Sequence, residues 1–207
     1  MPHITDSRTL TFQALRLKTF SVPEVSAPAV GLDPAVMAQE LVALQGAGLA
    51  AFREGRITGW ALTKAGREAG AAAVAADLKA SGLEARVRPC YEAFLKLNHD
   101  MLQVCTDWQM RNEKTLNDHS DKKYDDGVIA TLESIDAKVQ PVAVELGALM
   151  VRFQAFAPRL TEALNKVKAG GVEWFTKPLI DSYHTVWFEM HEDLLVTLSI
   201  DRAKEGQ

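Results

Sequence analysis

The sequence predicts a mainly α chain in two parts, an N-terminal group of helices interrupted by one short β-hairpin and a C-terminal bundle of longer helices. Three observations predict it. Apolar residues recur at spacings of three and four through most of the chain, the signature of helices with one buried face. The period changes clearly only between Leu49 and Leu62, around Arg53-Glu54-Gly55-Arg56. Beyond Gly82, helical patterns follow one another with almost no strand signal.

Leu10, Ala14, Leu17 and Phe20 recur at helical spacing behind possible caps at Ser7 and Thr9, which predicts a first short helix over 9–20. A second must be shorter still, because Ser21 can cap it, Pro23 tolerates a first-turn position and Pro28 stops it. Asp33 is positioned to cap a third helix with Pro34 in its first turn and Met37, Leu41 and Leu44 as its buried stripe. Gly46 and Gly48 end that helix. Two short strands flank the Gly55 turn, and Thr63 caps a helix whose alanine-rich run, 69–80, ends at Ser81-Gly82. The later patterns cover 89–112, 125–139, 142–167 and 178–204, with Glu84–Val87 as a possible short strand. A polar stretch, 113–126, reads as a solvated loop, and Gly170-Gly171 breaks the last two helices apart.

The chain has 207 residues, enough for one large or two small cores without disulfide staples. Its formal charge of −4 is uneven. Residues 1–82 carry eight Lys/Arg against seven Asp/Glu, and 83–207 carry fifteen against twenty, so a polyanion would favour the first part. Cys90 and Cys105 fit neither a disulfide framework nor a metal knuckle and fall in an apolar helical stretch. The first twenty residues lack a basic leader with an apolar core, and no run reaches the roughly 18 apolar residues of a membrane span. The expectation is a cytoplasmic protein with no membrane contact.

Helix, short helix, helix, hairpin, helix is the order of a winged helix-turn-helix, placed here at 1–82, with a helical dimerisation and possible effector domain at 83–207. Within it, Met37-Ala38-Gln39-Glu40-Leu41-Val42-Ala43-Leu44, then Gly48-Leu49, then Trp60-Ala61-Leu62-Thr63-Lys64-Ala65-Gly66-Arg67-Glu68 resembles the recognition helix, wing and post-wing helix of MarR-like regulators. The most specific piece is Leu-Thr-x-x-Gly-Arg from Leu62 to Arg67. The resemblance implies a DNA-binding transcriptional regulator acting as a homodimer, with double-stranded DNA as partner.

In such a fold a helix meets base edges in the major groove while basic residues on the wing and its flanks neutralise phosphates. The cations available for that are Arg53, Arg56, Lys64 and Arg67 on or beside the hairpin, with Arg16 and Lys18 in the first helix. Between Asp33 and Ala47 there is no Lys or Arg, and Gln39, off the buried stripe, is the specific base-contact candidate. The same uncharged helix favours the alternative of a winged-helix adaptor that binds a partner protein or enzyme. Trp60 reads as core beneath the hairpin, and Gly66 as a site of close helix packing.

In the C-terminal half, Tyr91, Asn98, Trp108, Tyr183, His184, Trp187 and His191 combine aromatic surface with a few polar groups, the composition of a ligand pocket or an interface. Ordinary core filling accounts for such residues as well. His184 and His191 stand two helical turns apart, roughly 10.5 Å along the axis, too far to share one metal ion. His191-Glu192-Asp193 starts like a zinc-protease motif, but Leu195 stands where its second histidine belongs. Asp118, His119, Asp121, Asp125 and Asp126 lack calcium-loop spacing and read as solvated charges. Gly170-Gly171 lacks the rest of a phosphate loop. The expectation is therefore no enzyme, no catalytic residue, no metal and no cofactor, with a small-molecule effector as a possible partner.

Overall fold

Capping and glycine chemistry set the order of the N-terminal elements in the computed structural model, which describes residues 1–55 and 58–205. The Asp6 side chain accepts from the Thr9 N–H at 2.9 Å and starts helix α1 (Ser7–Leu17) one residue earlier than a cap at Ser7 would and three earlier than a cap at Thr9 would. A single turn, α2 (Pro23–Ser26), passes into a 3-10 turn over Ala27–Val30 that Gly31 stops in the left-handed conformation. Asp33 accepts from the N–H groups of Ala35 and Val36 and opens α3 (Pro34–Gly46). Met37, Leu41 and Leu44 of α3 are buried, as their spacing requires.

Strands β1 (Ala50–Arg53) and β2 (Gly59–Leu62) pair antiparallel, Ala50 opposite Leu62 and Arg53 opposite Gly59. Ser21 extends this ladder through the Trp60 N–H at 2.9 Å. A Cβ on Gly59 would lie 2.5 Å from the Phe20 carbonyl carbon, so only glycine admits that approach. Thr63 accepts from the Gly66 N–H and caps α4 (Lys64–Ser81), which Gly82 ends in the left-handed conformation. Leu10, Leu15, Val30, Met37, Leu41, Leu44 and Leu62 form the common core of these elements, with Trp60 packed half-buried against it.

The remaining elements are helical apart from a second small hairpin. They are α5 (Glu84–Gln109), β3 (Met110–Asn112) paired with β4 (Thr115–Leu116), α6 (Lys122–Leu149), α7 (Phe156–Lys168), α8 (Glu173–Thr176) and α9 (Tyr183–Thr197). The expected strand at Glu84–Val87 is the first turn of α5 instead, with Val87 fully buried on the helical stripe. The stretch read as a loop, 113–126, contains β4 and the start of α6. Pro141 does not break α6, because Val139 and Ala143 on either side of it are buried and hold the helix through the one missing hydrogen bond. The last helix begins at Tyr183, five residues later than its pattern suggested.

The chain divides into two compact units. The first comprises residues 1–88, 146–155 and 189–207, and the second 89–145 and 156–188. All of 1–82 falls in the first unit, and residues after 83 contribute to both. Within the first unit, His3 pairs by its backbone with Leu149 and Val151, and Asp77 of α4 accepts from Thr5 and meets the His3 ring at 2.6 Å. Its interior also holds an ion pair, Arg152 to Asp193 at 2.9 Å, with both side chains buried and the Thr197 hydroxyl bonded to each. The second unit packs Trp108 flat on Phe175 at 4.4 Å and Phe94 against Trp187 at 4.5 Å. Cys90 and Cys105 are free thiols buried in this unit, and burial pushes the Cys105 thiol up to about 12. Among the described residues no helix is long and apolar enough to cross a membrane, and no cluster of His, Cys, Asp or Glu could hold a metal ion.

Candidate nucleic-acid interface

The outward face of α3 is uncharged, as its composition requires. Ala35, Val36, Ala38, Gln39, Val42, Ala43 and Gln45 are exposed there, Val42 at 68%. Gln39 stands opposite the buried stripe, so its amide is presented to solvent and able to make a bidentate contact. Glu40, the only acid within α3, is engaged by the Ser7 hydroxyl at 2.5 Å.

The cations separate into two groups. Arg16 donates to the Arg67 carbonyl at 2.8 Å and faces Glu192 at 3.6 Å, and Lys18 pairs with the buried Glu189 carboxylate at 2.8 Å. Arg67 donates to the Leu62 carbonyl at 3.0 Å, which ties the first turn of α4 to the end of β2. These three side chains help hold the first unit together, a role that the sequence does not disclose for Arg16 and Lys18 because Glu192 and Glu189 lie more than 170 positions away. Arg53 and Lys64 are different. Both are exposed, and neither side chain makes an ion pair or hydrogen bond with another described residue. Lys64 opens α4, where the helix dipole disfavours a cation and leaves it available to an external anion. Arg56 lies outside the described residues.

No family model, curated protein or solved structure matches this chain.

Of the seven aromatic and polar residues expected to line a pocket, six lie in the second unit and His191 lies in the first. Trp187 donates its indole N–H to Asn98 at 3.0 Å, and the Tyr183 hydroxyl donates to Asp136 at 2.9 Å. Asp136 also accepts from Gln140, whose amide reaches Thr161 at 3.1 Å. Burial, then the Asp136 charge, raises the Tyr183 phenol above its ordinary range, so it stays a neutral donor. Tyr91, Trp108, Tyr183 and Trp187 are all buried and packed against neighbouring side chains. His191 is buried and meets Glu205 at 2.5 Å.

His184 is half-buried, and desolvation lowers its pKa from the ordinary value near 6.5. Its neutral form is favoured in the fold, so the stability it contributes is present above about pH 6.5 and is lost as pH falls below that value. His184→Gln is expected to reduce the loss of stability between about pH 7.5 and about pH 5.5 in urea titrations. Equal losses in both proteins would contradict the assignment.

Sequence reasoning missed a polar centre in the second unit. Asp125, read as a solvated charge, is buried and meets the His119 Nδ1 at 3.0 Å, while Asn117 donates to Asp125 at 2.8 Å and to the Trp108 carbonyl at 3.0 Å. The His119 ring lies 4.4 Å from Trp108, with its backbone at φ 59°. Asp121 pairs with Arg111 at 2.9 Å, and that guanidinium covers the Tyr124 ring. The signal available in sequence was Trp108 preceding an Asn-Asp-His-Ser-Asp run by one short hairpin, too little to place the groups together.

Proposed function

We propose that the chain is a DNA-binding transcriptional regulator acting as a cytoplasmic homodimer, with its first 82 residues as a MarR-like winged helix. The observation that carries this reading is a pair of unpaired cations, Arg53 on β1 and Lys64 at the start of α4, flanking a hairpin that follows a helix with an outward Gln39. Arg53 and Lys64 meet phosphates, Arg56 adds to them, and Gln39 reads a base edge. Arg16, Lys18 and Arg67 act as internal supports. A dimer doubles this small cation count. Exposed Leu102, Val144 and Leu179 offer apolar surface for a second copy.

Phosphate contacts dominate affinity and make it salt-dependent, so binding at so few contacts is expected to be weak at physiological salt. Fluorescence anisotropy with a duplex taken from upstream of the gene, at about 50 mM and about 200 mM salt, tests this. Binding at the lower salt that weakens at the higher supports the reading, and no binding at either overturns it. A sedimentation measurement giving only monomer at micromolar concentration removes the dimer.

A second reading is an adaptor that binds a partner protein. Exposed Val36 and Val42 on an α3 face without charge favour it. Failure to bind DNA together with copurification of one stoichiometric partner selects this reading.

A further inference from the structure

We propose that a pocket in the first unit, between α1, the β1–β2 hairpin and the start of α4, binds a small phosphate monoester carrying an apolar group. The pocket encloses about 350 Å³, within the range of roughly 300–1,000 Å³ typical of small-molecule sites. Three guanidinium groups line it, from Arg16, Arg53 and Arg67, against one carboxylate, Glu192. Glu192 is already shared, with Arg16 at 3.6 Å and Arg202 at 3.2 Å, so it leaves an excess of positive charge in the cavity.

Like charges gathered in a concave site repel one another unless an anion joins them. Two of these groups are fixed in place before any ligand arrives. Arg16 donates to the Arg67 carbonyl and Arg67 to the Leu62 carbonyl, and each keeps most of its N–H donors for another acceptor. Arg53 is the unpaired third. A phosphate monoester brings nearly two negative charges and three terminal oxygens, which suit planar bidentate forks better than a monocarboxylate does. Phe20, partly exposed in the wall, gives an apolar substituent a surface to cover.

The probe is phenyl phosphate, titrated calorimetrically into the full-length protein near pH 7.5, with benzyl alcohol as the uncharged control. Saturable binding at one site per chain is expected, with no binding of benzyl alcohol. Arg53→Ala is expected to weaken phenyl phosphate about tenfold or more, the loss of one charged hydrogen-bonding partner. Because Arg53 holds no other side chain in place, that variant should keep the wild-type melting curve. Lys79→Ala, an exposed cation at the far end of α4, should bind as wild type does. Binding is also expected to weaken below about pH 6, where the ester loses its second charge. Absence of saturable binding at millimolar phenyl phosphate, or equal affinity in wild type and Arg53→Ala, overturns the proposal. DNA binding plays no part in this readout, so the two proposals stand or fall separately.

Discussion

Asp193→Ala is expected to destabilise the protein by about 3–5 kcal/mol, a large part of the roughly 5–15 kcal/mol that holds a typical domain folded. The substitution leaves the Arg152 guanidinium buried with the Thr197 hydroxyl as its remaining oxygen partner. Desolvation pushes the Asp193 carboxyl upward from its usual value, opposed by the pull of Arg152, so the pair is costly to assemble as well as to break. Its surroundings are already incompletely satisfied, since the buried Gln13 amide makes no hydrogen bond at normal distance. Replacing both partners, Arg152→Met with Asp193→Leu, should therefore recover most of the loss. Urea titration of the single and double variants checks both statements. A single variant within about 1 kcal/mol of wild type would show that the pair is not the buried interaction described here.

Gly66→Ala is the second large effect, expected to cost about 1–3 kcal/mol or more. A Cβ at this position would lie 1.8 Å from the Leu49 carbonyl oxygen, a backbone atom that no side-chain rotation can move aside. The start of α4 would have to move away from the chain entering β1, disturbing the Thr63 cap and its bond to Gly48. Gly127, inside α6 with open space around its Cβ direction, provides the matched control. There the same substitution should stabilise by about 0.5–1 kcal/mol, because alanine loses less backbone freedom in a helix. Thermal melts of the two variants should move in opposite directions. Equal shifts would mean that the Leu49 approach does not constrain residue 66.

What was legible in the sequence was local. Asp33, Thr63, Gly82 and the Met37/Leu41/Leu44 stripe announce their helices because caps and periodicity act over a few residues. The break at Gly55 likewise marks the hairpin. Asp6 was passed over for Ser7 and Thr9, a choice between neighbouring caps that only the chain direction decides. The patterns at 125–139 and the start of 142–167 fall in one 28-residue helix, because a buried stripe overrides the one hydrogen bond lost at Pro141.

The site was less legible, because the fate of a cation depends on partners distant in sequence. Arg16 and Lys18 read in sequence as cations available to phosphates, yet their partners, Glu192 and Glu189, are supplied by α9. Arg152 is a single cation in the apolar run Leu149-Met150-Val151-Arg152-Phe153, and nothing local names Asp193 as its partner. Among the aromatic candidates, helical spacing placed Trp108 and Trp187 on inward faces, where both are buried. It gave no sign that Asp136 and Asn98 would hold their polar atoms.

The central claim is that Arg53 and Lys64 are phosphate contacts of a dimeric DNA-binding protein in which Arg16, Lys18 and Arg67 are tied to neighbouring groups of the first unit. The most direct measurement is the dependence of the DNA association constant on salt concentration for wild type and for the Arg53→Ala/Lys64→Ala double variant. Removing two contacts from each protomer is expected to reduce the log–log slope by about 3 to 4, at about 0.9 per contact. An unchanged slope in the double variant would contradict the claim.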